Sequence, residues 1–195
     1  MDNDLSADDS TPDATVFHTP WLRVRERKRT GSLPYYILDR ANSVTIIPLS
    51  ESKRTILLKQ ERLPIAAESW EFPMGQIEIN EIPLNAAKRE LSEETGIVAE
   101  VLRRIASYYP VPALTPQLTT VFIAEISEKD LDQATCPQGE DDIKDLIIIP
   151  FSEVIAKIKD GNIQDALTII AAAYVVLDEM PRQLRIDDKS QRKGR

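Results

Sequence analysis

The stretch from Gly75 to Ile97, GQIEINEIPLNAAKRELSEETGI, gathers five glutamates and one arginine into a short segment, and the rest of the chain is read outward from it. Gly75 opens a loop that closes at Glu81. From about Ile82 to Thr95 the apolar residues Leu84, Ala87 and Leu91 recur at helical spacing, and Gly96 stops the helix. Glu90 stands three residues before Glu93 and four before Glu94, so these carboxylates project on one side, opposite to or flanking the apolar stripe. Like charges so spaced repel by about 0.2–0.5 kcal/mol per pair in water. Oxygen-only clusters of this kind suit hard divalent cations, Mg²⁺ or Mn²⁺, above all where phosphates complete the shell. The plain alternative is a solvated acidic helix face.

Composition narrows the field. The chain has 195 residues, 42% of them hydrophobic, enough for one sizeable core. A net charge of −8 argues against a general nucleic-acid or anionic-membrane surface, although a bound cation reconciles an acidic enzyme with a phosphorylated substrate. Cys136 is the only cysteine, which forbids an intrachain disulfide and suits a reducing, cytoplasmic location. His18 is the only histidine, so a two-histidine zinc site is excluded and His18 reads as structural or incidental. Acid–base work then falls to carboxylates, lysines or metal-bound water. The acidic N-terminus has no signal-peptide run, and no stretch has the length of about 20 apolar residues that a membrane span needs.

Upstream of the box, residues 1–15 are acidic and polar and are expected to be a disordered tail. Residues 16–41 read as a β extension, with one strand in Val16–Thr30, where Leu22 and Val24 alternate with Trp21, Arg23 and Arg25, and another at Tyr35–Leu38. Arg23, Arg25 and Arg27 form that strand's wet face. Ser43–Leu49 and Thr55–Gln60 read as a hairpin, and Pro73 ends any strand before Gly75. Downstream, strands are expected in Val98–Tyr109, Leu118–Ile126 and Ile143–Phe151, with a long acidic connection over Ser127–Asp142. Ser152 is expected to cap a helix to Lys159, and a buried helix follows from Gln164 to Glu179. Residues 182–195 form a basic tail. The order predicts an α+β fold, helices packed on the faces of a mixed sheet, in one domain over residues 42–181.

Gly75, five residues, Glu81, seven residues, Arg89-Glu90-Leu91-Ser92-Glu93-Glu94-Thr95-Gly96-Ile97 matches the Nudix box at every specified position. Chance coincidence in one chain is on the order of 10⁻⁸ to 10⁻⁷ at average residue frequencies. The chain therefore resembles the Nudix hydrolases. The resemblance implies an α/β/α sandwich with a mixed central sheet, and divalent-metal-dependent cleavage of a nucleoside diphosphate linked to another moiety. It implies Glu90 and Glu94 as metal ligands, Glu93 as a further ligand or base, and the Met74 carbonyl as a metal contact. Arg89 steers a neighbouring glutamate, Gly75 is the turn glycine, and Glu81 and Gly96 are structural.

Gln60-Glu61-Arg62, Glu71-Phe72-Pro73-Met74-Gly75, Pro112 and Gly161-Asn162-Ile163-Gln164-Asp165-Ala166 resemble the ADP-ribose pyrophosphatases and related nucleoside diphosphate sugar hydrolases. That branch implies a homodimer built through the N-terminal strands, and a catalytic base on the late acidic loop, where Glu140 stands beside Asp141 and Asp142. Arg62 and Glu71 are candidate substrate contacts, and Trp21, Trp70 and Tyr109 are candidate stacking platforms. Two departures bear on substrate: Pro112-Ala113 replaces a proline-glycine pair, and Gln117 stands where a glutamate is common. The alternatives are a Nudix-fold nucleotide sensor that does not hydrolyse, or an enzyme for dinucleoside polyphosphates or another nucleoside diphosphate derivative.

Overall fold

The computed structural model describes residues 13–20, 22–28, 31–136 and 142–179. Trp21, Glu140, Asp141 and the basic tail lie outside the described residues, as does the acidic tail up to residue 12.

Two sheets form. The N-terminal sheet contains β1 (Ala14–His18), β2 (Arg23–Arg27) and β3 (Tyr35–Asp39), all antiparallel. The single strand expected across Val16–Thr30 is thus two, and β1 begins inside the segment expected to be tail. The cause is local: Thr19 N–H donates to Leu22 O at 2.9 Å, and Leu22 N–H to Thr19 Oγ1 at 3.1 Å, a turn that reverses the chain around Pro20. Asp13 then pairs with Arg25 and Arg27, tying the start of β1 to β2.

The main sheet comprises β4 (Ser43–Ser50), β5 (Arg54–Arg62), β6 (Ala67–Glu71), β7 (Met74–Gln76), β8 (Leu102–Tyr108), β9 (Thr119–Ile126) and β10 (Ile143–Pro150). Its order is β10-β5-β4-β9-β8, and it is mixed because β4 and β9 run parallel while the other pairs are antiparallel. β4 and β5 leave their hairpin turn paired only at Leu49 and Thr55. Beyond that they diverge, and β6 and β7 enter the gap, β6 on β5 and β7 on β4. Pro73 lacks an N–H for either ladder, so the crossing falls there, and its carbonyl accepts Ile46 N–H at 2.8 Å. The chain therefore enters the box from the middle of the sheet.

α1 (Pro83–Thr95) carries the box, α2 (Glu128–Asp132) is short, and α3 (Phe151–Lys159) and α4 (Ala166–Glu179) cover the other face. Val44, Ile46, Ile56 and Leu58 meet Ala86, Ala87 and Leu91 of α1. Ile47, Leu57, Val121 and Ile123 meet Val154, Ala171, Ala172 and Val175 of α3 and α4. Complete burial of a side chain such as Leu91 contributes about 1.5–3 kcal/mol, so the two layers fix α1 against the sheet.

Four local expectations need correction. Leu84 is exposed, and the buried face of α1 runs through Ala86, Ala87, Leu91, Glu94 and Thr95, placing a glutamate on the packed side. Ser152 does not cap α3: β10 runs directly into it through Pro150, and Phe151 N–H bonds Lys53 O at 2.8 Å. The acidic connection contains α2, capped by Ser127, whose Oγ accepts Asp130 N–H at 3.0 Å. α4 buries one face, while Val176 and Leu177 face outward. Among the described residues no helix is long and apolar enough to cross a membrane.

Candidate active site

The site begins with two backbone devices. Pro83 occupies the first turn of α1, where its missing N–H costs nothing. Gly96 ends the helix at φ +71°, its N–H bonding Ser92 O at 2.9 Å, a left-handed cap that favours glycine. Between them the loop from Gly75 to Glu81 folds back onto α1, and Arg89 closes it. Its guanidinium donates to both oxygens of Glu81 at 3.0 and 2.9 Å, to Glu90 Oε1 at 2.8 Å, to Glu93 Oε2 at 2.9 Å and to the Gln76 carbonyl at 2.9 Å. Only the planar, five-donor fork of arginine makes such a set. The bonds from Arg89 hold the Glu81 carboxyl below its ordinary range, and Glu81 also accepts Glu78 N–H at 3.0 Å. Glu81 and Gln76 thus belong to the loop clasp, and the Gln76 carbonyl has no side-chain signature that sequence could offer.

Gly75 is a matter of space. A Cβ there would lie 2.0 Å from the carboxylate carbon of Glu90, so the Glu90 head occupies the volume that any other residue would need. Glu94, only 7% exposed, is turned inward and accepts Met74 N–H through Oε2 at 2.9 Å. Strand β7 is therefore pressed against two box glutamates, through Gly75 and through Met74.

The approach to β7 is pinned from the opposite side of the sheet. Phe72 N–H donates to Thr168 Oγ1 at 3.1 Å, and Thr168 N–H donates to Asp165 Oδ2 at 2.7 Å at the start of α4. Glu71, 2% exposed, takes two bonds from Arg62, at 2.9 Å from Nε and 2.5 Å from Nη2. The Arg62 guanidinium is kept charged chiefly by these bonds, with the neighbouring carboxylates of Asp165 and Glu94 adding to the effect. Burial, the largest influence on Asp165, raises its pKa above the usual range. Arg62, Glu71, Asp165 and Glu94 thus form one electrostatic neighbourhood. Thr168 carries no motif signal and was invisible to sequence reasoning.

The candidate residues divide into two groups. Glu90, Glu93, Glu94, Arg89, Glu81, Gly75 and Met74 come together, with Arg62 and Glu71 beside Glu94. Tyr109 lies apart, exposed, in a cleft of about 460 Å³ with Arg25, Arg27 and Tyr35 between the N-terminal sheet and the loop after β8. Trp70 packs against the α3–α4 core, which argues against a stacking role. Arg23, Arg25 and Arg27 pair with Asp13 and Asp39.

The donor set of Glu90, Glu93 and Glu94 is all oxygen and fits a hard divalent cation. The room left by Gly75 is filled by a carboxylate and by no apolar group, which agrees with that fit. Among the described residues no three metal-ligating side chains converge on one point, and Arg89 draws one oxygen each of Glu90 and Glu93 to itself.

Comparison with known proteins gives the site its context. Residues 39–169 match the NUDIX domain. The chain is 29% identical over 143 residues to the methanol dehydrogenase activator of Bacillus methanolicus, covering 73% of this chain and 76% of that protein. It is 28% identical over 143 residues to the ADP-ribose pyrophosphatase of Bacillus subtilis (strain 168), with the same coverage of 73% and 76%. It is 27% identical over 157 residues to the GDP-mannose pyrophosphatase of Yersinia pestis (strain Pestoides F), covering 76% and 77%. A domain match over most of the chain, enclosing a complete box whose loop and helix are clasped by Arg89, places it: the chain belongs to the Nudix family of pyrophosphohydrolases.

Proposed function

We propose that the protein hydrolyses the pyrophosphate bond of ADP-ribose or a related nucleoside diphosphate sugar, giving a nucleoside monophosphate and a sugar phosphate. The observation that carries this reading is the gathering of three box glutamates around β7, Glu90 and Glu93 bonded to Arg89, Glu90 filling the space at Gly75 and Glu94 accepting the Met74 N–H. Similarity to an ADP-ribose pyrophosphatase and a GDP-mannose pyrophosphatase supports the substrate class.

Glu90, Glu93 and Glu94 would hold Mg²⁺ or Mn²⁺. Such a cation supplies charge neutralisation at the non-bridging phosphate oxygens and an activated water. Arg89 positions Glu90 and Glu93, and Met74 N–H orients Glu94. Arg62 meets the diphosphate from the other side. Glu93 or Glu140 takes the proton of the attacking water; for Glu140 the support is its place on the late acidic loop in the sequence.

Residues 16–41 serve as a dimerisation element within a homodimer. Val16, Phe17, Leu33, Tyr35 and Tyr36 of that region are exposed, an apolar set that suits burial against a second copy. The single cysteine suits a cytoplasmic location.

The test is chromatography of products after incubation with Mg²⁺ and ADP-ribose, GDP-mannose, NADH or a diadenosine polyphosphate. AMP and ribose 5-phosphate, or GMP and mannose 1-phosphate, at a clear preference are the expected products. Preferential cleavage of a diadenosine polyphosphate would move the substrate class, and binding without cleavage of any compound would make the protein a sensor.

A further inference from the structure

We propose that the cavity between the β5–β6 turn and the start of α4 binds the sugar end of the substrate and selects neutral, hydroxyl-bearing sugars over anionic ones. The inference rests on the nucleoside diphosphate sugar reading above and assigns one end of that substrate.

The cavity measures about 450 Å³, within the range of small-ligand sites. Arg62 is on its wall and is also the residue that feels the charge of Glu94. Arg62 is also bonded to Glu71, three residues before Met74, whose N–H Glu94 accepts, so the cavity adjoins the box carboxylates along one short segment. Its polar lining includes the carboxylates of Glu68, Glu71 and Asp165 and the carboxamides of Asn162 and Gln164. Carboxylates accept hydrogen bonds from hydroxyls, and carboxamides both donate and accept, so the set matches a polyol. No aromatic side chain lines it among the described residues, which leaves a nucleobase nothing to stack on. The cleft holding Tyr35 and Tyr109 has the opposite character, with two aromatic rings beside Arg25 and Arg27.

Charge sets the selectivity. Arg62 is bound to Glu71, and Glu68 pairs with Lys59. Asp165 accepts the Thr168 N–H, and among the described residues Arg62 is the only cation in the cavity wall. A sugar carboxylate placed here would meet three carboxylates, Glu68, Glu71 and Asp165, against the one guanidinium of Arg62, which is discrimination by repulsion.

The experiment uses calorimetry with Mg²⁺ and two non-hydrolysable probes, the α,β-methylene analogue of ADP-ribose and α,β-methylene-ADP, which lacks the sugar. Asn162→Ala and Gln164→Ala alter exposed residues outside both cores. Each is expected to weaken the sugar analogue about three- to tenfold, the scale of one neutral hydrogen bond, and to leave α,β-methylene-ADP unchanged. In kinetics, UDP-glucuronate is expected to be cleaved at least about tenfold less efficiently than UDP-glucose, with Asp165→Asn narrowing that gap. Parent-like binding of the sugar analogue by both variants overturns the assignment while leaving the hydrolase reading intact if turnover is seen. Weakened analogue binding in a protein that hydrolyses no nucleotide sugar would sustain the cavity and remove the hydrolase reading. A parent protein that binds neither probe would overturn both.

Discussion

Two clusters of charge, one on the N-terminal sheet and one in the box, are built to different rules. On the N-terminal sheet, Arg23, Arg25 and Arg27 share Asp13 and Asp39, cation against anion in near balance and largely at the surface. In the box one guanidinium, Arg89, serves Glu81, Glu90 and Glu93, while the inward-turned Glu94 has a backbone N–H from Met74. The first pattern is what sheet stability asks of exposed ion pairs, each worth about 0–1 kcal/mol. The second keeps an excess of carboxylate that stability alone would select against. Balance suits a structural role, and the maintained imbalance is what we propose a bound cation offsets.

Four changes sharpen or break that contrast. The largest effect is expected from Glu94→Gln, which removes a box charge and keeps the shape: kcat/KM should fall at least about a hundredfold, with the melting temperature unchanged or raised. Steady-state kinetics beside thermal melting checks it. Gly75→Ala follows, since its methyl must displace the Glu90 head. Because that head is the end of a flexible side chain, the expected result is about a tenfold or greater loss of kcat with stability changed by less than about 1 kcal/mol.

Thr168→Val comes next. It leaves the buried Phe72 N–H without an acceptor, at a cost of about 1–3 kcal/mol, and loosens the strand that carries Met74 to Glu94. A severalfold rise in the Mg²⁺ concentration for half-maximal rate is expected, with recovery in Thr168→Ser. A fall in melting temperature alone would make Thr168 a core residue and nothing more.

The smallest effect belongs to the balanced cluster. Bonds from Arg25 hold the Asp39 carboxyl below its usual 3.8, and bonds from Arg27 do the same for Asp13. A carboxyl with a depressed folded-state pKa contributes stability that is present above about pH 4 and lost as pH falls through the folded value. Hydrogen exchange in β2 and β3 should accelerate below about pH 4, and Asp39→Asn should flatten that dependence while leaving turnover at neutral pH within about twofold.

The two clusters also differed in how far sequence could reach them. The box was legible because its chemistry is local: a glycine, a loop, helical spacing and a terminating Gly96 lie in one continuous run. The packed face was misjudged at Leu84 because periodicity gives a stripe but not its rotation, and the wedge of β7 turns Glu94 inward. β5 and β10 were legible as apolar runs, but the opening of β4 from β5 to admit β6 and β7 depends on pairings that no local signal encodes. The Thr168 bond to Phe72 joins residues far apart in the chain and was unreadable for the same reason. β1 and β2 merged into one expected strand because alternation continued through a turn made by the Thr19 side chain. Ser127 did carry a helix-cap signature, hidden within an acidic run.

On the function proposed here, the carboxylate excess around Arg89 holds a divalent cation. Titration of Mn²⁺ followed by electron paramagnetic resonance tests it without reference to turnover, on the parent protein, Glu94→Gln and Asp39→Asn. The parent and Asp39→Asn are expected to bind Mn²⁺ alike, and Glu94→Gln at least about tenfold more weakly. Equal binding by the parent and Glu94→Gln would contradict that role.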